Sequence, residues 1–255
     1  MYRGQTVAVV MPIHNEQDHI ELAVSRVPDF VDLIVAVDDG SADATWERLC
    51  AIRDRRLARV RHSSNRGVGA ATRTGYKFAL EARAELIAVM DGDGQMDGRD
   101  LPALLDCAIG GADYVKGNRF LHRETIDCMP RARFIGNLVF SWLMRRASSF
   151  EQSLDAQCGY TVIRAESLRK LDLESLYDRY GFLNEMFFAA RLAGLKVRSI
   201  PVRAVYGSEL SGINPLTAVP TILYLIGRSY LRWKSSRNGV EPVFGIQQAE
   251  SESVR

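Results

Sequence analysis

The segment LIAVMDGDGQMD, residues 86–97, indicates how this chain folds, because five apolar residues run directly into two aspartates separated by a glycine. A short apolar run that ends at a polar turn is typical of a buried strand. Two earlier runs, at 7–11 and 33–37, have the same character, and stretches with helical spacing of apolar residues lie between the runs. Strands that alternate with helices predict an α/β fold, with a mostly parallel sheet flanked by helices.

The two aspartates of this segment, Asp91 and Asp93, are candidate metal ligands. In an open parallel sheet, ligands bind beyond the carboxyl ends of the strands, where both residues would lie. Mg²⁺ and Mn²⁺ prefer carboxylate and amide oxygens and bridge phosphate groups, so Asp91, Asp93 and Gln95 are predicted to hold such an ion. The alternative is an acidic loop that only caps the next helix. A second acidic cluster at the same edge, DDGSAD at 38–43, favours the metal site.

Two further turns are predicted to line the same crevice. In the second acidic cluster, Asp39 could accept hydrogen bonds from a nucleobase or a ribose, although a cluster of this kind could instead cap a helix. The turn PIHNE, which follows the first strand, contributes Pro12, Asn15 and Glu16. Read alone, that turn is a plain connection between a strand and a helix. Together the two turns predict a nucleoside site.

The sequence NRGVG, residues 65–69, places a cation and two glycines at the start of a predicted helix. Backbone N–H groups at a helix start bind phosphate, so Arg66 and Gly67 are predicted to meet a phosphate group. By itself this is a weak signal, since glycine-rich turns are common. The chain lacks the GxGxxG pattern and the GK[ST] of a P-loop, which argues against a dehydrogenase or a nucleoside triphosphatase.

The bulk composition is that of an ordinary folded protein. Of 255 residues, 47% are hydrophobic and 25% are charged, and a formal net charge of +2 gives no reason to expect nucleic acid as a partner. The four cysteines are scattered without a CxxC pair, which argues against a zinc site or a disulfide framework. The first residues lack the features of a signal peptide, so we expect a cytoplasmic protein.

Taken together, four segments resemble the inverting family-2 glycosyltransferases, which have the Rossmann-like GT-A fold. They are VVMPIHNE (9–16), VDDGSAD (37–43), NRGVGAA (65–71) and VMDGDGQMD (89–97). The resemblance implies that the first two segments hold the nucleoside of a GDP- or UDP-linked sugar. It also implies that the acidic motif holds Mg²⁺ or Mn²⁺ together with the diphosphate. In a GT-A domain over 1–214, residues 1–120 would form the nucleotide-sugar half and residues 121–214 the acceptor half.

The second half is similar to the branch of this family that glycosylates polyprenyl or dolichyl phosphate. The matching stretches are GNRF (117–120), MPRARFIGN (129–137), DAQCGYTVIR (155–164), NEMFFAA (184–190) and RAVYGSELSGI (203–213). The resemblance implies that Arg119 contacts a phosphate of the donor or the acceptor, and that Arg131 and Arg133 grip the lipid phosphate. Ser211 would also bind substrate. For the two helix arginines, the alternative is a solvated helix end.

The chemistry of the acceptor decides whether a catalytic base is needed. A phosphate monoester has a second pKa of about 6, so it is largely dianionic at neutral pH and can attack the anomeric carbon without a base. A hydroxyl acceptor must lose its proton as it attacks, and Asp155 and Glu185 are the candidate bases. Glu185 could instead complement the dipole of its helix. The predicted catalytic residues are Asp93, Arg119 and Glu185.

Residues 215–237 predict contact with a membrane, because an apolar stretch is followed by basic and aromatic residues. Such a segment suits an amphipathic helix in the membrane interface, and Phe134–Leu143 is a second candidate. A packing helix or a face between subunits of a homo-oligomer is the alternative. No segment offers the roughly 20 apolar residues that span a bilayer. We expect a peripheral or monotopic protein at the cytoplasmic face of a membrane, with a disordered polar tail at 238–255.

The leading hypothesis is therefore a metal-dependent transferase that moves a hexose from a nucleotide-diphosphate sugar to a polyprenyl phosphate. A soluble family-2 enzyme that acts on a saccharide or glycolipid hydroxyl is the alternative among enzymes. A nucleotide-sugar-binding protein without turnover is a third hypothesis, although both aspartates of the acidic motif are intact. A nucleotidyltransferase would normally carry a glycine-rich basic loop after the first strand, and PIHNE is not such a loop.

Overall fold

The computed structural model describes residues 1–122, 131–148, 155–203 and 215–237. Over these residues a seven-stranded sheet is flanked by helices. The strands are β1 (Val7–Ile13), β2 (Leu33–Asp38), β3 (Leu57–Arg61), β4 (Leu86–Val89), β5 (Tyr114–Asn118), β6 (Thr161–Arg164) and β7 (Val197–Pro201). The helices are α1 (Ile20–Ser25), α2 (Thr45–Ala51), α3 (Val68–Glu81), α4 (Leu101–Ile109), α5 (Arg131–Ser148), α6 (Ala165–Leu168), α7 (Phe182–Leu192) and α8 (Pro215–Arg237).

The strand order is β3-β2-β1-β4-β6-β5-β7. The pairs β3-β2, β2-β1, β1-β4 and β5-β7 are parallel, whereas β6 runs antiparallel to both of its neighbours. The prediction of a mostly parallel sheet flanked by helices is thus confirmed. A strand is predicted over Tyr160–Ile163 and is found as β6, but its reversed direction was not predicted, because a short apolar run carries no information on direction.

The central strand β1 separates two hydrophobic cores. All seven of its residues are buried, and alternate side chains point to opposite faces of the sheet. Ala8 and Val10 belong to the core under α3 and α7, whereas Val9 and Met11 belong to the core under α1 and α4. A strand that is covered on both faces has no polar face. It therefore reads as one continuous apolar run in the sequence.

The reversed strand β6 determines what lies beyond the end of β4. In the antiparallel register Val89 of β4 faces Thr161, the first residue of β6. On its other side Thr161 faces Lys116 of β5. The residues that precede Thr161 therefore lie beyond the carboxyl end of β4 and beside the last residues of β5, where the Gly117 N–H donates to the carbonyl of Tyr160 at 2.8 Å. This places residues 155–160 beside the predicted metal ligands.

Most predicted elements are found, and the largest difference is at α1. The helical spacing of Ile20, Leu22, Ala23 and Val27 predicts a helix over 16–27, but α1 covers only Ile20–Ser25, because the backbone before it bonds to the segment at the start of α2. The Glu16 N–H, for example, donates to the Thr45 hydroxyl at 2.8 Å. The sequence also predicts helices over Leu101–Ile109 and Phe182–Leu192, and α4 and α7 have these bounds. The four-residue helix α6 was not predicted.

Helices α5, α7 and α8 pack against one another on one side of the sheet. The predicted helix at 215–237 is present as α8 and contains Pro220. In the part of the chain that the structure describes, no helix has the length and apolar character needed to cross a bilayer. The predicted tail at 238–255 lies outside the described residues.

Helix α3 packs so closely on β1 that only a glycine fits at position 75. A Cβ on Gly75 would lie 2.2 Å from a methyl carbon of Val10. We expect Gly75→Ala to lower the free energy of unfolding by about 1–3 kcal/mol, since overpacking forces side chains and backbone to shift. Urea denaturation would measure this change. Gly136 in α5 is the control, because a Cβ there would meet no described atom within 4 Å. At that position, Gly→Ala should be neutral or stabilising by about 0.5–1 kcal/mol.

Candidate active site

The loop at 91–97, which we call the DGD loop, begins at the carboxyl end of β4. The N–H of Gly92 donates to the carbonyl of Pro12 at 3.3 Å, so the loop is tied to the end of β1. The Asp93 carboxylate accepts the N–H of Gln95 at 2.9 Å, which closes a tight turn. The loop is therefore shaped by hydrogen bonds between near neighbours. Pro12, a predicted substrate-binding residue, contributes its backbone carbonyl, which accepts the Gly92 N–H.

The DGD loop and the residues before β6 line one pocket. Gly159 lies directly against the carboxylate of Asp91, because a Cβ on this glycine would come within 2.7 Å of Oδ2. The lining residues are Asp91, Asp93, Gln95, Met96, Arg119, Gln157, Cys158, Gly159, Tyr160, Val202 and Arg203. The three predicted metal ligands and the predicted phosphate-binding Arg119 thus lie in the same pocket.

Arg119 is held at this pocket by a buried ion pair with Asp155. Its Nε donates to Asp155 Oδ2 at 2.6 Å and one terminal nitrogen donates to Oδ1 at 2.9 Å. Asp155 has no exposed surface, and Arg119 is also buried. A bidentate pair of this kind fixes the guanidinium in one plane. Because both carboxylate oxygens of Asp155 bind Arg119, the geometry does not support Asp155 as a catalytic base, and the residue positions Arg119 instead.

A second buried cation, Lys116, lies behind the pocket. Its side chain has no exposed surface, and its Nζ donates to the carbonyl of Cys158 at 2.8 Å. Burial lowers the pKa of Lys116 from its ordinary value. This residue was not predicted as part of the site. The sequence feature that could have identified it is a single lysine within the otherwise uncharged segment YVKGN at 114–118.

The acidic pair of the DGD loop carries unfavourable negative charge. Burial and, after it, the neighbouring Asp93 raise the pKa of Asp91 to about 7, whereas Arg119 and Lys116 oppose the increase. Two carboxylates close together cannot both ionise easily without a cation. This is the electrostatic environment that binding of a divalent ion would relieve.

The donor atoms present fit such an ion. Over the described ranges, no group of three or more His, Cys, Asp or Glu side chains is arranged to hold a metal. Mg²⁺ is usually bound by one or two carboxylates together with substrate phosphates and water, and the Asp91–Asp93 pair matches that arrangement. The ion would therefore depend on a bound diphosphate for part of its coordination.

The turns predicted to hold a nucleoside are braced against each other. The N–H of Asn15 donates to the Ser41 hydroxyl at 2.9 Å, and the side-chain oxygen of Asn15 accepts the N–H of Ala42 at 2.9 Å. Asn15 has a positive φ of 58°, a conformation that asparagine tolerates better than most residues. Its side chain is thus committed to the turn, whereas Glu16 beside it is half-buried. The structure brings Pro12, Asn15 and Glu16 to the same edge of the sheet as the DGD loop.

Asp39 is buried and has several protein partners. Its Oδ1 accepts the N–H of Arg66 at 3.0 Å and lies 2.7 Å from Nδ1 of His62, while Oδ2 accepts the N–H of Gly67 at 2.6 Å. The other ring nitrogen of His62 lies 3.0 Å from the Thr74 hydroxyl. The carboxylate therefore anchors the start of α3, a structural role that the sequence did not reveal. Contact with a nucleoside stays a prediction.

The start of α3 is covered by the protein itself. The Asp178 carbonyl, in what we call the 176–181 loop, accepts the N–H of Ala70 at 3.0 Å. A Cβ on Gly67 or Gly69 would lie 2.4 Å or 2.8 Å from this carbonyl oxygen. The two glycines are thus required for close packing of the loop, which occupies the position where a phosphate was predicted. The structure does not support phosphate binding by the Gly67 N–H, which already donates to Asp39. Arg66 is exposed at the surface.

The carboxylate of Glu185, a predicted catalytic residue, is also bound by other groups of the protein. Only 3% of it is exposed, and its carboxylate accepts the Tyr177 N–H at 2.6 Å and pairs with Arg228 of α8. It does not line the pocket of the DGD loop. This geometry does not support Glu185 as a catalytic base, because one oxygen caps the 176–181 loop and the other neutralises a cation.

Three predicted residues cannot be placed in the site. Arg131 and Arg133 lie in the first turn of α5, but their side chains are outside the described part of the structure. Ser211 also lies outside the described residues. Their predicted contacts with substrate stay predictions.

The Arg119–Asp155 pair generates a stability prediction. Asp155→Asn removes the charge that compensates a buried guanidinium, so we expect the free energy of unfolding to fall by about 3 kcal/mol or more. Glu166→Gln is the control, because Glu166 forms a 2.7 Å pair with Arg164 and is largely exposed. Its loss should cost less than about 1 kcal/mol. Chemical denaturation would measure both changes, and an unaltered Asp155→Asn stability would contradict the positioning role.

The raised pKa of Asp91 generates a prediction about pH. A carboxyl whose pKa is higher in the folded than in the unfolded state favours folding when protonated, and this contribution is lost as the pH rises through the folded value of about 7. Without metal, wild type should therefore lose stability relative to Asp91→Asn as the pH rises from about 4 to about 8. Parallel melting curves for the two proteins across this range would contradict the assignment. The melting temperature measured at each pH provides the test.

Comparison with known proteins identifies the family of this chain. Residues 8–172 match the family described as Glycosyl transferase family 2. The chain is 30% identical over 219 residues to an undecaprenyl-phosphate mannosyltransferase of Micrococcus luteus, covering 81% of this chain and 88% of that one. It is 29% identical over 226 residues to a polyprenol monophosphomannose synthase of Mycolicibacterium smegmatis, covering 82% and 83%.

The fold is similar to solved structures as well. Glucosyl-3-phosphoglycerate synthase of Mycobacterium tuberculosis, in complex with Mn²⁺, UDP and phosphoglyceric acid, superposes with a TM-score of 0.64. The two chains are 20% identical, and the match covers 94% of this chain and 81% of the other. The GT-A fold predicted from the acidic segments is thereby confirmed. From the family match over residues 8–172, the chain belongs to glycosyl transferase family 2.

Proposed function

We propose that this protein transfers a hexose from a GDP- or UDP-linked sugar to a polyprenyl phosphate, with inversion at the anomeric carbon. The observation that carries the proposal is the pocket in which Asp91, Asp93 and Gln95 share a lining with the buried cation Arg119. Relatives named for undecaprenyl-phosphate and polyprenol-phosphate mannosyl transfer support the acceptor class. Another, from Methanococcus voltae, is named for transfer of N-acetylglucosamine to dolichyl phosphate.

The residues of the pocket divide into acidic and basic groups with different tasks. Asp91 and Asp93, with Gln95, would hold Mg²⁺ or Mn²⁺, which when bound neutralises charge on the departing diphosphate. Arg119 is fixed by Asp155, so its guanidinium can bind a phosphate without first being ordered. Lys116 adds positive potential from behind the pocket. The turn from Pro12 to Glu16 would line the part of the cleft that holds the nucleoside.

A phosphate acceptor agrees with the state of the two candidate bases. Both carboxylates, Asp155 and Glu185, are engaged by arginines, so neither is poised to take a proton from a hydroxyl. A phosphate dianion needs no base. The alternative acceptor, a saccharide or glycolipid hydroxyl, would require one of these ion pairs to open.

Helices α5 and α8 supply a surface suited to a membrane. Ile135, Leu138, Val139 and Trp142 follow one another at helical spacing, and between 49% and 60% of each is exposed. Arg145 and Arg146 are exposed at the end of the same helix. An exposed apolar stripe beside basic residues suits the boundary between acyl chains and anionic headgroups. On α8, Leu223, Tyr224 and Leu231 are also exposed.

The test is a radiolabel-transfer assay. Purified protein would be incubated with a panel of labelled nucleotide sugars and with undecaprenyl or dolichyl phosphate in vesicles, with and without Mn²⁺. We expect metal-dependent label in the organic phase. Label that is absent from the organic phase but is transferred to a saccharide in a parallel incubation would support the hydroxyl alternative, and a donor that binds without being consumed would support a binding protein. Either result would overturn the proposal.

Variants of the DGD loop test its part in the reaction. We expect Asp91→Asn and Asp93→Asn each to lower kcat/KM by about 10²-fold or more, the size of effect seen when an electrostatic group is removed from a transition state. Asp172→Asn, at an exposed aspartate outside the pocket, is the matched control and should leave transfer unchanged. Wild-type rates in both loop variants would contradict the metal role.

A further inference from the structure

The segment that precedes β6, residues 155–160, forms one wall of the pocket, and several of its polar groups are bound by the protein itself. The Asp155 carboxylate accepts two hydrogen bonds from Arg119. The Cys158 carbonyl accepts Nζ of Lys116 at 2.8 Å. These bonds hold the wall in place, so the groups that make them are not free to bind a ligand.

The side chain of Gln157 differs from its neighbours in this wall. Gln157 lines the pocket, and its backbone N–H donates to Asp155 Oδ1 at 3.3 Å, which places it beside the Arg119–Asp155 pair. Its side-chain nitrogen is buried and has no hydrogen-bond partner in the described part of the chain. A buried N–H group without a partner is costly and is rare in native structures. The carboxamide therefore has hydrogen-bonding capacity that the protein does not use.

The groups around Gln157 already match the charged parts of a nucleotide sugar. Arg119 supplies positive charge, and the Asp91–Asp93 pair with a divalent ion would bind the diphosphate. A carboxamide is neutral and carries a donor and an acceptor side by side. A hydroxyl also donates and accepts, so it can pair with either end of the carboxamide, whereas a phosphate oxygen can pair only with the nitrogen. The ligand group that complements Gln157 best is therefore a sugar hydroxyl.

We propose that Gln157 binds a hydroxyl of the transferred hexose and helps to select the sugar. The identity of the ligand rests on the proposed function, because a nucleotide sugar is taken as the molecule that enters the pocket. Rotation of the carboxamide toward a bound hexose gives the unpaired nitrogen a partner. A sugar that lacks this hydroxyl leaves the nitrogen unpaired, and a site of this kind discriminates against such an analogue.

Calorimetric titration with Mn²⁺ and without lipid tests the contact. UDP-glucose compared with UDP, and GDP-mannose compared with GDP, are the probe pairs. We expect Gln157→Leu to weaken binding of a nucleotide sugar by about five- to tenfold, the effect of one lost neutral hydrogen bond. Binding of the nucleoside diphosphate, which lacks the hexose, should be unchanged. Equal weakening of both members of a pair would indicate contact with phosphate and would overturn the proposal, as would wild-type binding of both.

A matched control and a stability measurement separate ligand binding from a structural role. Gln5→Leu is the control, because Gln5 is also half-buried but does not line the pocket, and it should bind both members of each pair as wild type does. The melting temperature of free Gln157→Leu should equal or exceed that of wild type, since the side-chain nitrogen has no partner to lose. A lower melting temperature with an unchanged binding ratio would identify a structural residue and overturn the proposal.

A second variant and deoxy sugars sharpen the test. Gln157→Asn keeps the carboxamide but shortens the side chain by one methylene, so it should also weaken binding of the sugar nucleotide alone. For wild type, removal of one particular hexose hydroxyl should weaken binding by about five- to tenfold, and Gln157→Leu should show no loss for the same analogue. Independent, additive losses for every deoxy analogue would overturn the contact.

The transfer assay distinguishes a failure of this contact from a failure of the proposed function. If wild type transfers no sugar to any lipid while Gln157→Leu still loses affinity for the nucleotide sugar alone, the proposed acceptor is wrong and the contact stands. If wild type transfers sugar to polyprenyl phosphate and Gln157→Leu matches it in donor binding and donor KM, the contact is wrong and the proposed function stands. The binding measurement can decide between them because it needs no acceptor.

Discussion

The site depends on one buried ion pair, between Arg119 at the end of β5 and Asp155 before β6. A guanidinium without a partner would be costly at this depth, and so would a lone carboxylate. Together the two side chains hold the carboxyl end of β5 against the segment that turns into β6. That segment carries Gly159, which lies against the carboxylate of Asp91. The pocket therefore forms from three chain segments, two of which this pair joins directly.

Close approach of backbone to backbone joins the two halves of the chain. Gly67 and Gly69, in the first half, admit the backbone carbonyl of Asp178, in the second half. At each of these positions a methyl group would come within 3 Å of another part of the protein. The two halves of the chain are thus packed together through glycines. This explains why a glycine-rich segment that resembles a phosphate loop can instead be a packing surface.

The carboxylates at the carboxyl edge of the sheet divide into two groups. Asp39, Asp155 and Glu185 are buried, and each is bound to N–H groups or arginines of the same chain, so their charges are compensated inside the fold. Asp91 and Asp93 form an acidic pair that shares the pocket with Arg119, and burial and mutual repulsion raise the pKa of Asp91. The first group shapes the site, whereas the second has the electrostatics of a cation site. A carboxylate identified from its position after a strand can belong to either group.

The order of elements, the mostly parallel sheet and the DGD loop followed from local patterns in the sequence. The strand and the turn at Asp91-Gly92-Asp93 can be predicted from a few residues, because near neighbours in the sequence determine both. The resemblance carried by the four segments likewise identified the family. The bounds of α4 and α7 were predictable for the same reason, since their apolar spacing is regular.

The partners of the individual side chains were decided only by tertiary structure. The pairing of Arg119 with Asp155, of Glu185 with Arg228, and of Asp39 with the start of α3 joins residues far apart in sequence. No local pattern distinguishes a carboxylate that will meet a guanidinium from one that will face a pocket, because the difference lies in burial and in the reversed direction of β6. Lys116 lies behind the pocket for the same reason. The sequence by itself determined which chemistry lies at the edge of the sheet, and the packing of the second half determined which groups remain to carry it out.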